Sequence, residues 1–204
     1  RNLTGKLHRR GTPWKPGEYG VVVCVWVYDG RGHLLLTRRA REKSFAGTWE
    51  NSGGAVKAGE TSRQAIAREL YEETGIQAEP EEFELLDSDR ERNIFYDHYC
   101  LFRRIPLKSI VLQPGETDNV MWASFGKVDW MIRTGKMCRI IGHQFYRQEK
   151  ALRLRNPCQI STCLSLAGKI WQGQGRFALA FFAVSGYNEK KRFSGVRRKR
   201  FCRT

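Results

Sequence analysis

The sequence predicts an α/β fold in which a mixed β-sheet packs between helices. Three observations carry this. Residues 19–28 (YGVVVCVWVY) form a near-continuous β-branched and aromatic run, the pattern of a strand buried on both faces. A helix bounded by Thr61 and Gly75 separates that strand from a second group of strand-like runs. A further helical stretch follows the last of them, and strands flanking one long helix with another helix late in the chain suit a sheet covered on both sides.

Taken in order, residues 1–17 are basic and turn-rich, with Gly5, Gly11, Pro13, Pro16 and Gly17, and read as an irregular lead-in. After the first strand, Asp29-Gly30-Arg31-Gly32 is a turn, and residues 33–38 (HLLLTR) return as a second strand. Residues 50–59 read as a glycine-containing loop into the helix. Thr61 followed by Gln64 is a capping box, and Gly75 supplies a left-handed stop. Residues 83–87, 94–105 and 118–123 alternate enough to be strands, and residues 127–133 (KVDWMIR) form a short helix, the last one expected.

A chain of 204 residues suits one ordinary domain. We place that domain at 1–150 and a basic C-terminal extension at 151–204. Residues 151–204 contain 12 Lys and Arg against the single acid Glu189, so most of the net charge of +15 belongs to the extension and says little about the substrate. The longest apolar runs, 21–27 and 177–184, fall short of the roughly 18–20 residues of a membrane span, so no membrane partner is expected. The six cysteines show no CxxC pair, and Cys24 and Cys100 fall in strand-like runs, which fits buried thiols and a reduced, cytoplasmic compartment. A homodimer is left open.

The most informative stretch is residues 54–76, GAVKAGETSRQAIARELYEETGI. Ile66 and Leu70 lie four apart and can face a core. Glu69, Glu72 and Glu73 are three and four apart and cluster along one side of the helix. Three like charges this close repel one another, and a divalent cation among them relieves the repulsion. All-oxygen donors favour Mg²⁺ first and Mn²⁺ second. Glu60 and Arg68 carry opposite charges.

The spacing is that of the Nudix box, GX5EX7REUXEEXGU with U aliphatic, filled at every fixed position: Gly54, Glu60, Arg68, Glu69, Leu70, Glu72, Glu73, Gly75 and Ile76. The chain resembles a Nudix (MutT-type) hydrolase over about residues 1–150. The stretches VWVYDGRGHLLLTRR and GTWENSGG look like the subgroup related to isopentenyl-diphosphate isomerase. The resemblance implies an α/β/α sandwich with a mixed sheet. It also implies metal-dependent hydrolysis, by water, of a small-molecule nucleoside diphosphate linked to another group. An oxidised or non-canonical nucleoside triphosphate is the default substrate. By the same resemblance Glu72 and Glu73 are metal ligands, Glu69 is a ligand or the general base, and the carbonyl of Gly54, or of Gly53, completes the metal shell. Glu60 and Arg68 brace the loop against the helix. A later carboxylate often joins, and Glu116, in QPGETD, is the candidate, equally readable as a solvated turn acid.

Other residues take bland readings first. Trp49 and Glu50 can line a cleft, with Trp49 equally a packed aromatic. His98 is expected at a strand surface. Arg38, Arg39 and Arg41 can meet phosphates or form a solvated turn. Tyr96 and Tyr99 can stack on a base or simply pack in the sheet. Three alternatives to the hydrolase remain. An isomerase needs cysteine and histidine in an NSxCxHP-like stretch, where this chain keeps Asn51 and Ser52 but continues Gly-Gly-Ala-Val. A non-catalytic ligand sensor usually loses box glutamates, and all three are present. A nucleic-acid-binding protein would rest on Lys190-Lys191-Arg192 and residues 197–200, which read more simply as a solvated basic tail.

Overall fold

The computed structural model describes residues 6–9 and 11–156. Among the described residues there are seven strands, β1 (Gly20–Tyr28), β2 (His33–Arg39), β3 (Trp49–Glu50), β4 (Ser52–Ala55), β5 (Glu84–Glu91), β6 (Ile94–Phe102) and β7 (Thr117–Ser124), and three α-helices, α1 (Ser62–Thr74), α2 (Phe125–Arg133) and α3 (Arg139–Arg155). The sheet runs β3-β2-β1-β6-β5, with β4 also on β1 and β7 also on β2. β1 and β6 are parallel over their full lengths, and the other strand pairs are antiparallel, so the sheet is mixed as expected.

β1 is buried on both faces because its alternate side chains feed two cores. Val23, Val25 and Val27 pack with Ala65, Ile66 and Leu70 under α1. Cys24 and Trp26 pack with Val128, Met131, Phe145 and Leu152 under α2 and α3. Trp26 meets Phe145 edge-on at 5.7 Å. The free thiols Cys24 and Cys100 are buried, as is Cys138, and burial pushes the Cys100 thiol up to about 12. Cys158, Cys163 and Cys202 lie outside the described residues, as does nearly all of the basic extension. Among the described residues, no helix is long and apolar enough to cross a membrane.

Three details depart from the sequence reading. The loop expected at 50–59 contains β4, whose SGGA sequence has almost no strand propensity but is laddered onto β1 from Val22 to Val25. The strand expected at 83–87 extends to Glu91, because a turn through Arg92 folds it back onto β6 over its whole length. The largest departure is α3, which we did not expect. Its buried side chains Ile141, Phe145, Gln148 and Leu152 recur every three or four residues. Polar Gln148 occupies the middle of that stripe, where its Oε1 accepts a hydrogen bond from Trp26 Nε1 (2.7 Å) and its Nε2 is buried without a partner. The helix runs past residue 150, where the sequence reading ended the domain. Asn156, just beyond its end, receives a bond from Gly32 N (2.9 Å) and donates to His33 O (2.8 Å).

Candidate active site

β4 brings the backbone of residues 52–55 alongside α1, and its two central glycines are required by close approach. A Cβ on Gly53 would strike the carbonyl of Val23. A Cβ on Gly54 would occupy the carboxylate of Glu69. The Glu69 carboxylate therefore lies against a stretch of main chain that only glycine leaves open.

The helix that carries Glu69 is fixed at both ends. Thr61 Oγ1 accepts from Gln64 N (3.2 Å) while Gln64 Oε1 accepts from Thr61 N (2.9 Å). Gly75, at φ 70°, donates its N–H to Tyr71 O. Arg68 then gathers the acids. Its Nε and Nη2 donate to the two oxygens of Glu60 (2.6 and 3.0 Å), and Nη1 donates to Glu69 Oε1 (2.7 Å) and Glu72 Oε2 (3.0 Å). Nη2 also reaches the Ala55 carbonyl at the end of β4 (3.2 Å). This bidentate hold keeps the Glu60 carboxyl below the usual carboxylate range.

Glu73 faces the sheet instead. It is 4% exposed, and its Oε2 is buried without a hydrogen-bond partner. Burial first, then the neighbouring charge of Glu50, push its pKa from an ordinary 4.5 to about 8, although Ser52 and Lys43 pull the other way. Glu50 is itself raised by burial, despite accepting both its bonds from Arg39 Nη1 at 2.7 Å. Lys43 forms an ion pair with Glu116. The turn carrying Glu116 is docked on the end of α1, where Gln113 N and Thr117 Oγ1 both donate to Glu73 O (3.3 Å each).

The fold thus brings Glu69, Glu72, Glu60 and Arg68 together at Gly54, and sets Glu50, Glu73, Lys43 and Glu116 beside them. These residues offer hard oxygen donors suited to Mg²⁺ or Mn²⁺. As the side chains stand, Glu69 and Glu72 turn to Arg68 and Glu116 to Lys43, and among the described residues no three acidic, His or Cys side chains converge as metal ligands. Two features fit a cation nonetheless: the orphaned buried oxygen of Glu73, and the cradle at Gly54 that a side chain would fill.

His98, expected at a strand surface, is 0% exposed. Parallel register with Cys24 turns it to the α3 face, where Nε2 lies 3.4 Å from Asp89. Tyr99 is buried with its hydroxyl 2.9 Å from Ser62 Oγ, and Tyr96 stacks on His98, so both pack within the fold. Arg39 serves Glu50, and Arg38 serves Asp118 (2.6 Å). Lys43 went unnoticed in the sequence, and Ser52 was noted only beside Asn51 in the isomerase-like stretch, not as a partner of Glu73. The alternation Glu50, Ser52, Gly54 along one strand edge is the signal that could have found Ser52.

Comparison with known proteins gives the family and the fold. A family profile described as NUDIX domain matches residues 18–138. An uncharacterised Nudix hydrolase of Listeria innocua is 30% identical over 138 residues, covering 67% of this chain and 82% of that protein. An 8-oxo-dGTP diphosphatase of Haemophilus influenzae is 51% identical over 47 residues, 23% of this chain and 35% of that protein. A solved structure from Deinococcus radiodurans superposes with a TM-score of 0.58 at 21% identity, over 69% of this chain and 90% of its own.

Proposed function

The chain belongs to the Nudix hydrolase family, and from that premise we propose that it is a Mg²⁺- or Mn²⁺-dependent pyrophosphohydrolase of nucleoside triphosphates, oxidised or non-canonical ones foremost. The observation that carries this reading is the packing of the Glu69 carboxylate against Gly54, with Arg68 holding Glu60, Glu69 and Glu72 around it.

Glu72, Glu73 and Glu69, with the Gly54 carbonyl, would hold the cation, and Glu116, now paired with Lys43, is the further carboxylate that would join them. When bound, the cation neutralises pyrophosphate oxygens and makes water more acidic. The protein's own residues do the rest. Glu69, whose carboxylate lies against Gly54, is the residue assigned to take the proton of the attacking water. Arg68 is a positioning residue that keeps Glu69 and Glu72 from drifting apart under mutual repulsion. Lys43, paired with Glu116 beside the acids, supplies positive charge for a phosphate. Phosphoryl transfer asks little more than such positioning and charge neutralisation. The short identity with an 8-oxo-dGTP diphosphatase supports the nucleotide class, since it falls on a chain with the whole box intact.

The test is a hydrolysis screen over nucleoside triphosphates, dinucleotide polyphosphates, nucleotide sugars, coenzyme A and NADH with Mg²⁺ and Mn²⁺. Turnover of a nucleoside triphosphate that is abolished by chelator, and lowered about 100-fold or more in Glu69→Gln, is expected. Full activity in chelator or in that variant would remove the assignment. Isomerisation of isopentenyl diphosphate is not expected, since the position matching the isomerase cysteine is Gly54, where any side chain displaces Glu69.

A further inference from the structure

The segment between β2 and β3 is held at nearly every residue. Arg39 N donates to Thr48 O (3.0 Å), Gly47 N to Arg39 O (2.9 Å), and Ala40 N to Glu116 O (3.0 Å). Arg39 Nε donates to Ser44 O (2.6 Å). Thr48 donates to Phe45 O twice, from N (3.2 Å) and from Oγ1 (2.7 Å). Within this frame Phe45 sits at φ 57°, a conformation disfavoured for a bulky side chain, and its ring is 58% exposed. The hydrogen bonds on either side fix the backbone, and the side chain is left exposed.

Its place is specific. The guanidinium that holds the carbonyl of Ser44 is the one that clamps Glu50, the acid beside Glu73. Lys43, two residues before Phe45, is the partner of Glu116. The Phe45 backbone is therefore held next to residues that partner the acidic cluster. The aromatics suspected from sequence are committed elsewhere: Tyr99 is buried, Tyr96 stacks on His98, and Trp49 lies between the guanidinium of Arg38 and the core.

Resting on the nucleotide reading above, we propose that Phe45 is a specificity-determining residue: a stacking platform for the planar heterocycle of the substrate while its phosphates meet the carboxylate cluster and Lys43. A flat apolar face accepts any base. The site then selects pyrophosphates that carry an aromatic ring over those that carry only a sugar or an isoprenoid chain.

The test is calorimetric binding to the full chain with Mg²⁺, using the α,β-methylene analogue of guanosine triphosphate and, as ring-free probe, inorganic tripolyphosphate. The readout is the ratio of their dissociation constants. One base–aromatic stack is worth about tenfold, so Phe45→Ala and Phe45→Leu should each cut the wild-type preference for the nucleotide by about tenfold, and Phe45→Tyr should keep it. Leucine preserves apolar bulk without the flat face, so it separates stacking from general packing and stands in should the alanine variant not fold. An unchanged ratio in Phe45→Leu, or a wild type that binds both probes alike, overturns the proposal. Intact discrimination together with no turnover of any cleavable nucleotide would instead sink the hydrolase reading and leave the stacking site standing.

Discussion

A carboxylate sealed beside a second one, as Glu73 is beside Glu50, ionises only against lost hydration and a like charge. Its folded pKa of about 8 against an ordinary 4.5 makes the sign clear. Between those values the unfolded chain has released a proton that the folded chain retains. The stability Glu73 gives is present below about pH 4.5 and is lost as pH rises through 8. Glu73→Gln should therefore melt higher than wild type in chelator at pH 8 to 9, while turnover falls about 100-fold. A melting temperature that drops in the variant would show the carboxylate to be structural. His98 works in the opposite pH direction. Burial lowers its pKa, against the pull of Asp89 and Asp87 and with that of Arg147, so it stays neutral when folded. The unfolded chain protonates below about 6.5, and stability contributed by His98 is lost as pH falls below that value. His98→Gln should flatten the melting temperature between pH 7 and 5, and an unaltered slope would assign it to other groups. At this scale the box glutamates could be named from their spacing, but the spacing did not show that Glu73 is buried while Glu69 and Glu72 share Arg68. Phe45, Lys43 and the burial of Glu50 were not legible, since they depend on pairings between residues distant in sequence, such as Lys43 with Glu116.

Among the elements, α1 was legible from both caps and from its apolar positions, and the structure reproduces each. β4 was not, because two glycines read as loop until β1 is there to pair with them. The junction of these two elements is where Arg68 acts, tying the Ala55 carbonyl, Glu60 and two acids of α1 into one unit. Arg68 and Glu60 are only partly buried, at 19% and 22% side-chain exposure, so the loss should lie between that of a surface pair and a buried one, about 1–3 kcal/mol. Arg68→Ala should lower the melting temperature by several degrees, and turnover with it, because Glu69 and Glu72 lose their common partner. Activity lost with the melting temperature unchanged would mean that Arg68 touches substrate instead.

For the whole molecule, the question is where the catalytic domain ends. We propose that this end lies no earlier than Asn156, because α3 and its C-cap carry the fold past the change in composition that suggested 150. The onset of basic sequence suggested 150, but α3, itself rich in Arg, runs on to Arg155. A chain ending at Lys150 would lose Leu152, which is 0% exposed, the ion pair of Arg155 with Glu84, and both bonds that Asn156 makes to the β1–β2 turn. Deleting one such leucine side chain alone costs about 2–5 kcal/mol, a large part of the stability of a domain. That chain should unfold at markedly lower temperature. A chain ending at Asn156 should keep the melting temperature and turnover number of the full protein, since every residue assigned to the site precedes residue 117. Removing residues 157–204 takes away ten Lys and Arg and one acid, so the shorter chain should also bind polyanions less tightly, with a weaker dependence on salt. Paired melting curves and steady-state rates on the two truncations decide the matter: loss of turnover in the chain ending at Asn156 while it remains folded would make the basic segment part of the enzyme.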